Sequence, residues 1–185
     1  MKKAFGRLLF WVLGWKIKNP DPASFTPSVM IAAPHTSNWD FPIAIGAFWV
    51  MGVPLRYFIK DSYTRGIFGW FFKWSGAIGV NRSHPGGLVE FAIETLKQQR
   101  DLVVLVPAEG TRKRVDRWKT GFYRIALGAN VPIALGYLDY AKKEAGIREA
   151  LVFPTGDYEL DMQPVEAFYA SVTAKHPALY GGKVV

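Results

Sequence analysis

The sequence predicts a single α/β domain with a mostly parallel central sheet flanked by helices, preceded by an N-terminal helix of different character. Three observations lead there. Five short apolar runs, at residues 29–33, 55–59, 77–80, 102–106 and 131–135, are each bounded by Pro, Gly or charge. Near-continuous apolar runs of that length suit strands buried on both faces. Segments with helical character separate most of them, and such alternation favours a parallel sheet. No low-complexity tract, repeat or Ser/Gly linker divides the 185 residues, a length that buries a core in one domain without staples.

Residues 1–18 are expected to form a membrane-interface helix. Their uninterrupted apolar part, residues 8–15, is far short of the roughly 20 residues a spanning helix needs. No small-x-small cleavage site follows, only Lys16-Ile17-Lys18-Asn19-Pro20, so the segment does not read as a signal peptide. Phe5, Leu8, Leu9, Trp11, Val12 and Trp15 supply an apolar surface, with Lys2, Lys3, Arg7, Lys16 and Lys18 around it. That composition suits a helix lying at a headgroup layer; the opposing reading is a terminal helix packed on the domain with its Trp residues in the core. Asn19-Pro20-Asp21-Pro22 ends the helix and opens a domain of residues 19–185.

Within that domain helices are expected over residues 42–51, with Pro42 in the first turn, over the aromatic-rich residues 65–74, and over residues 87–99. The last places Leu88, Ala92 and Leu96 on one stripe, with Val89 and Ile93 beside it. Beyond residue 140 the pattern weakens; residues 151–153 read as a late strand and 166–175 as a final helix.

The formal net charge is +8 and the pI near 9.7, which calls for a polyanionic partner. Half of the residues are apolar, 15% are aromatic and seven are Trp. That balance favours an anionic membrane surface and argues against nucleic acid. Cysteine is absent, which excludes a disulfide framework, a Cys-based zinc site and a cysteine acyl-enzyme.

Polar residues gather immediately after predicted strands, the edge where open α/β sheets form ligand sites. The first island is Pro34-His35-Thr36-Ser37-Asn38-Trp39-Asp40. An imidazole becomes a general base when a carboxylate fixes its tautomer from the other nitrogen, and five positions along a chain turning from strand to helix can bring His35 to Asp40. Ser37, two residues from His35, reads as a helix cap. The second island, residues 76–82, ends in Arg82, whose guanidinium fork matches a phosphate or carboxylate. The third is Glu109-Gly110-Thr111-Arg112, where glycine lets backbone amides approach an anion. Lys113, Arg114, Arg117, Lys119 and Arg124 follow, opposed only by Asp116. His84 and His176 have no carboxylate or Cys partners at ligand spacing and read as loop residues; no metal site is expected.

Together, His35-x4-Asp40, Gly76 to Arg82, Glu109-Gly110-Thr111-Arg112 and Val131-Pro132-Ile133 resemble, in order, the four sequence blocks of the glycerolipid acyltransferases, the family that includes 1-acylglycerol-3-phosphate acyltransferase. Leu55 to Lys60 and Phe68-Gly69-Trp70 resemble its intervening segments. The resemblance covers about residues 29–135 and implies a glycerol-3-phosphate acyltransferase-like fold. It also implies acyl transfer from a thioester donor, acyl-CoA or acyl-carrier protein, to a hydroxyl of a glycerol-phosphate-like acceptor such as a lysophosphatidic-acid-like lipid, with no further cofactor. His35 would deprotonate the hydroxyl and Asp40 would support it. Lys60, Arg82, Glu109, Gly110, Thr111 and Arg112 would bind substrate, and Pro132 would shape the acyl region. The absence of a Gly-x-Ser-x-Gly elbow and of Cys agrees with direct transfer.

Pro107-Ala108-Glu109 separates the proline from the glutamate, and Asn38-Trp39 precedes the aspartate. Both depart from the family's common pattern and leave open a phosphate-free acceptor with an amino-acid or sugar head group. A non-catalytic lipid- or nucleic-acid-binding module built on the basic run from Arg112 to Arg124 would leave His35 and Asp40 without a role. The expected location is peripheral or monotopic, on the cytoplasmic face of the membrane.

Overall fold

Strand β2 (Ser28–Ala32) occupies the middle of a seven-stranded sheet, and Val29, Met30 and Ile31 are fully buried. The computed structural model describes residues 1–18, 21–80, 87–181 and 184. Its other strands are β1 (Lys16–Lys18), β3 (Leu55–Lys60), β4 (Ala77–Val80), β5 (Val103–Pro107), β6 (Ile133–Asp139) and β7 (Glu144–Ile147), ordered β1-β7-β6-β2-β5-β3-β4. Every pairing is parallel except β6 with β7. The domain is therefore the mostly parallel α/β sheet expected from the apolar runs.

Helices cover both faces. On one side α5 (Gly87–Gln98), α6 (Gly121–Ala129) and α7 (Tyr158–Tyr169) pack through Leu96, Phe122 and Val165 against Val29, Ile31 and Val104. On the other, α1 (Lys2–Leu13), α2 (Asp40–Met51) and α4 (Gly69–Ser75) bring Phe10, Ile43, Phe48 and Phe72 against Met30, Val103 and Leu138. The alternation of Val29, Met30 and Ile31 between the two cores is the period-2 pleat of a strand buried on both faces.

Several elements differ from the sequence reading. The N-terminal helix stops at Leu13, where Gly14 caps it in the left-handed conformation (φ 67°). Lys16–Lys18 are instead the edge strand β1, paired with β7; lysines on an edge strand are usual. The helix is also part of the fold. Gly6 meets α2 so closely that a Cβ there would lie 2.6 Å from the Gly46 carbonyl oxygen, and Phe10 is buried. One face of α1 is thus packed on the domain, while Leu8, Trp11 and Val12 remain exposed on the other.

The expected helix over residues 65–74 is two, α3 (Asp61–Arg65) and α4, separated at Gly66. The final helix lies earlier, starting at Tyr158 with the Asp157 side chain accepting the Leu160 N–H. Residues 151–153 contribute only a bridge from Val152 to Ile133. Pro132 precedes β6 and its carbonyl accepts from Val29 N, at the end of the strands opposite His35. The expected Asn19-Pro20 break lies outside the described residues. Among the described residues no helix is long and apolar enough to cross a membrane.

Candidate active site

The carboxyl end of β2 delivers His35 into a loop that turns at once into α2, and Asp40 is the first residue of that helix. The loop closes on the Asp40 carboxylate. Oδ2 lies 3.1 Å from His35 Nδ1 and accepts the backbone N–H groups of Thr36 and Ser37 at 2.9 Å each. Oδ1 accepts the Tyr140 hydroxyl at 2.7 Å. Burial pushes the Asp40 carboxyl up, but the bonds from His35, Tyr140 and Ser37 outweigh it and hold the group below the ordinary carboxylate range. Asp40 is thus a buried, ionised acceptor, and the ring of His35 is half-buried above it. With Nδ1–H donated to Asp40, Nε2 is left with its lone pair, the tautomer a general base requires.

Ser37 does not cap α2 in the ordinary way; its Oγ accepts from Trp39 N one residue before the helix. The helix start is ordered mainly by Asp40 itself.

Glu109 follows β5, the parallel neighbour of β2. Its side chain is buried, and Oε2 accepts the His35 backbone N–H at 2.8 Å while Oε1 has no partner among the described residues. The sequence grouped Glu109 with substrate-binding residues; in the structure its Oε2 braces the histidine loop through the His35 backbone N–H. Burial pushes its pKa up to about 7, offset in part by the His35 N–H and raised further by Asp40. Because the folded value exceeds the ordinary 4.5, the folded chain holds a proton that the unfolded chain has released. Its stabilising contribution is full below about pH 4.5 and is lost as pH rises through 7, a decline on the order of 3 kcal/mol. Glu109→Gln, which still accepts from His35 N, is expected to remove that decline. Urea midpoints at pH 5 and pH 8 check it: wild type should lose more stability than the variant, and parallel losses would dismiss the buried proton.

Gly110, Thr111 and Arg112 continue the same loop. Gly110 needs its left-handed conformation (φ 66°) and packs tightly on Lys119, Thr111 Oγ1 accepts from Lys113 N, and Arg112 is exposed with no ion pair among the described residues. Arg82 and His84 lie outside the described residues. Exposed His176 donates its backbone N–H to Thr36 Oγ1 at 3.2 Å.

Under α2 lies an apolar cavity of about 510 Å³ whose lining includes His35 and Asp40 at one end and Ala47, Phe48 and Met51 toward the other. Tyr57, Phe72 and Leu105 form other parts of its wall, and Lys60 at the end of β3 also lines it. The size falls within that of small-molecule sites, and the lining is mostly apolar with a few polar groups, His35, Asp40 and Lys60 among them. Tyr140 and the cavity were not legible in sequence. Tyr140 is 100 positions from Asp40, and no local pattern reports a contact at that separation.

A histidine held by a buried carboxylate at the carboxyl edge of a mostly parallel sheet, beside an apolar cavity, has the elements of a general-base site for group transfer. Residues 15–134 match the family described as Acyltransferase, and the chain belongs to that family. The fold is similar to that in the crystal structure of the 1-acyl-sn-glycerophosphate (LPA) acyltransferase PlsC from Thermotoga maritima. The TM-score is 0.62 at 18% identity, over 92% of this chain and 77% of that one. Comparison with curated protein sequences gives no match.

Proposed function

We propose that the protein is an O-acyltransferase of the membrane surface, moving a fatty acyl chain from acyl-CoA or acyl-carrier protein to the hydroxyl of a lysophosphatidic-acid-like acceptor. The observation that carries this reading is the His35–Asp40 pair at one end of an apolar cavity of about 510 Å³. An acyl chain lies in the cavity with its thioester carbonyl beside His35. Nε2 takes the proton of the acceptor hydroxyl as its oxygen attacks that carbonyl, and Asp40 stabilises the imidazolium that forms. Collapse of the tetrahedral intermediate expels the donor thiolate, which recovers the proton from His35. Exposed Arg112 and cavity-lining Lys60 are cations available to anionic parts of the substrates.

The test is a panel: purified protein, a labelled acyl thioester, and acceptors with and without phosphate. Lysophosphatidic acid should be the best acceptor. Preference for a phosphate-free lysolipid would replace it with the amino-acid or sugar head group that Asn38-Trp39 leaves open, and transfer to none would reject the reading.

The membrane-facing surface we assign is formed by α1 together with the turn into α4. Trp11 is 79% exposed, Ile67 90% and Trp70 69%. The two segments adjoin where Lys2 Nζ donates to the Trp74 carbonyl and lies over its ring. Basic Lys3, Arg7 and Lys73 flank them, as an anionic headgroup layer requires. Because Phe10 and β1 belong to the core, deleting the segment would damage the fold. The triple substitution Trp11→Ser, Ile67→Ser and Trp70→Ser is expected to leave the fold intact and weaken binding to anionic vesicles by about tenfold or more. Unchanged co-sedimentation with the vesicles would place the membrane contact elsewhere.

A further inference from the structure

We propose that Tyr140 is a positioning residue for the His35–Asp40 pair, holding the free oxygen of the carboxylate so that the other stays on the imidazole. The inference rests on the reading of His35 as the general base, and nothing in the sequence blocks or the matched residues 15–134 includes Tyr140.

The geometry separates two jobs at Asp40. Oδ2 carries three donors, His35 Nδ1–H and the N–H groups of Thr36 and Ser37. Oδ1 has one, the Tyr140 hydroxyl at 2.7 Å. A carboxylate fixed at one oxygen alone can still turn about its Cβ–Cγ bond, and a buried oxygen without a donor is costly. The Tyr140 bond removes both problems, and it does so as a permanent donor. Burial and the bond to Asp40 hold the phenol well above its ordinary value, so it stays protonated.

Tyr140 is itself held on several sides. Its ring meets Trp15 edge-on at 4.9 Å, just beyond α1. The ammonium of Lys175 lies 5.9 Å from the same ring and 5.2 Å from that of Trp39, and Tyr140 N donates to the Thr173 carbonyl. Segments from both ends of the chain thus converge on one side chain whose polar atom touches Asp40. The charged groups around Asp40 and Tyr140 are His35, Glu109, Lys175 and the ion pair between Asp139 and Lys142 in the turn after β6. None of these replaces the hydroxyl as a donor to Oδ1.

Tyr140→Phe keeps the ring and its packing and removes only that donor. The experiment follows the Asp40 carboxyl by carbon NMR titration and the His35 Nδ1–H proton by its downfield resonance, alongside steady-state kinetics and a thermal melt. The expected results are an Asp40 midpoint raised by about 0.5–1 pH unit, a displaced Nδ1–H resonance, and kcat lower by about ten- to hundredfold with KM for both substrates unchanged. An unchanged Asp40 titration and Nδ1–H resonance would overturn the proposal, and a lowered melting temperature with both unmoved would leave Tyr140 a packing residue only. His35→Ala run in parallel separates the two claims. Retained turnover there rejects the base, while the titration in Tyr140→Phe still reports on the bond.

Discussion

Replacing His35 with alanine is expected to lower acyl transfer by about 10²–10⁴-fold, the usual contribution of a positioned general base, while leaving the thermal melt unchanged. The side chain is half-buried and, among the described residues, its only side-chain hydrogen-bond partner is Asp40, so little packing is lost. Asp40→Asn should cost nearly as much in rate, for a reason visible around its two oxygens. Among the described residues all four partners are donors, three on Oδ2 and one on Oδ1. An asparagine must direct its amide nitrogen at one set or the other, putting donor against donor as well as losing the charge that supports the imidazolium. Initial rates with a labelled thioester and saturating acceptor measure both. Turnover within a few-fold of wild type in His35→Ala would end the assignment of the base. The same result in Asp40→Asn would show that the buried carboxylate orders the loop without assisting the chemistry.

Ala47→Phe is expected to change which acyl chains are accepted. Ala47 is buried, lines the cavity and sits seven residues beyond Asp40 on α2, about 10 Å along the helix axis. A phenyl ring there fills the far part of the cavity and leaves the end near His35 untouched. If it displaces about four methylenes, a long chain forfeits about 3 kcal/mol of burial, on the order of a hundredfold in kcat/KM, whereas a short chain loses almost nothing. The profile of kcat/KM against donor chain length should therefore shift toward short acyl groups. An unaltered profile in a stably folded variant would mean that the acyl chain lies elsewhere.

What the sequence made legible follows from how locally each feature is encoded. Strands β2 and β4 stood out because Val29-Met30-Ile31 and Ala77 to Val80 are apolar on both faces and end in polar residues. The short strand β7, Glu144-Ala145-Gly146-Ile147, offers neither alternation nor β-branched density, and only its pairings with β6 and β1 make it a strand. Helix α6 was hidden behind the basic run that ends at Arg124, and Pro164 inside α7 obscured the true span of that helix. The pairing of His35 with Asp40 was readable because five residues suffice to fold one onto the other. The contact of Glu109 with the His35 N–H was not, since the two residues are 74 positions apart. Trp11 and Phe10 are neighbours with opposite fates, one exposed and one buried, which hydropathy alone does not separate.

The joint between α1 and the sheet has a consequence for the orientation of the whole molecule. Gly14 N–H bonds back into the helix, Trp15 N donates to Phe10 O, Lys16 N donates to Lys143 O, and β1 then zips onto β7. The helix and the strand axes therefore form one rigid frame with no pivot between them. On the proposed seating of α1 against lipid, the angle at which the sheet stands to the bilayer is fixed, as a keel fixes the attitude of a hull. The height of His35 above the headgroup plane becomes a constant of the architecture. On the proposed acyl transfer, alignment of hydroxyl with imidazole is then left to the acceptor: a lysolipid whose hydroxyl rides at that height is expected to be acylated, and one that carries it deeper or shallower to be passed over even when its head group fits.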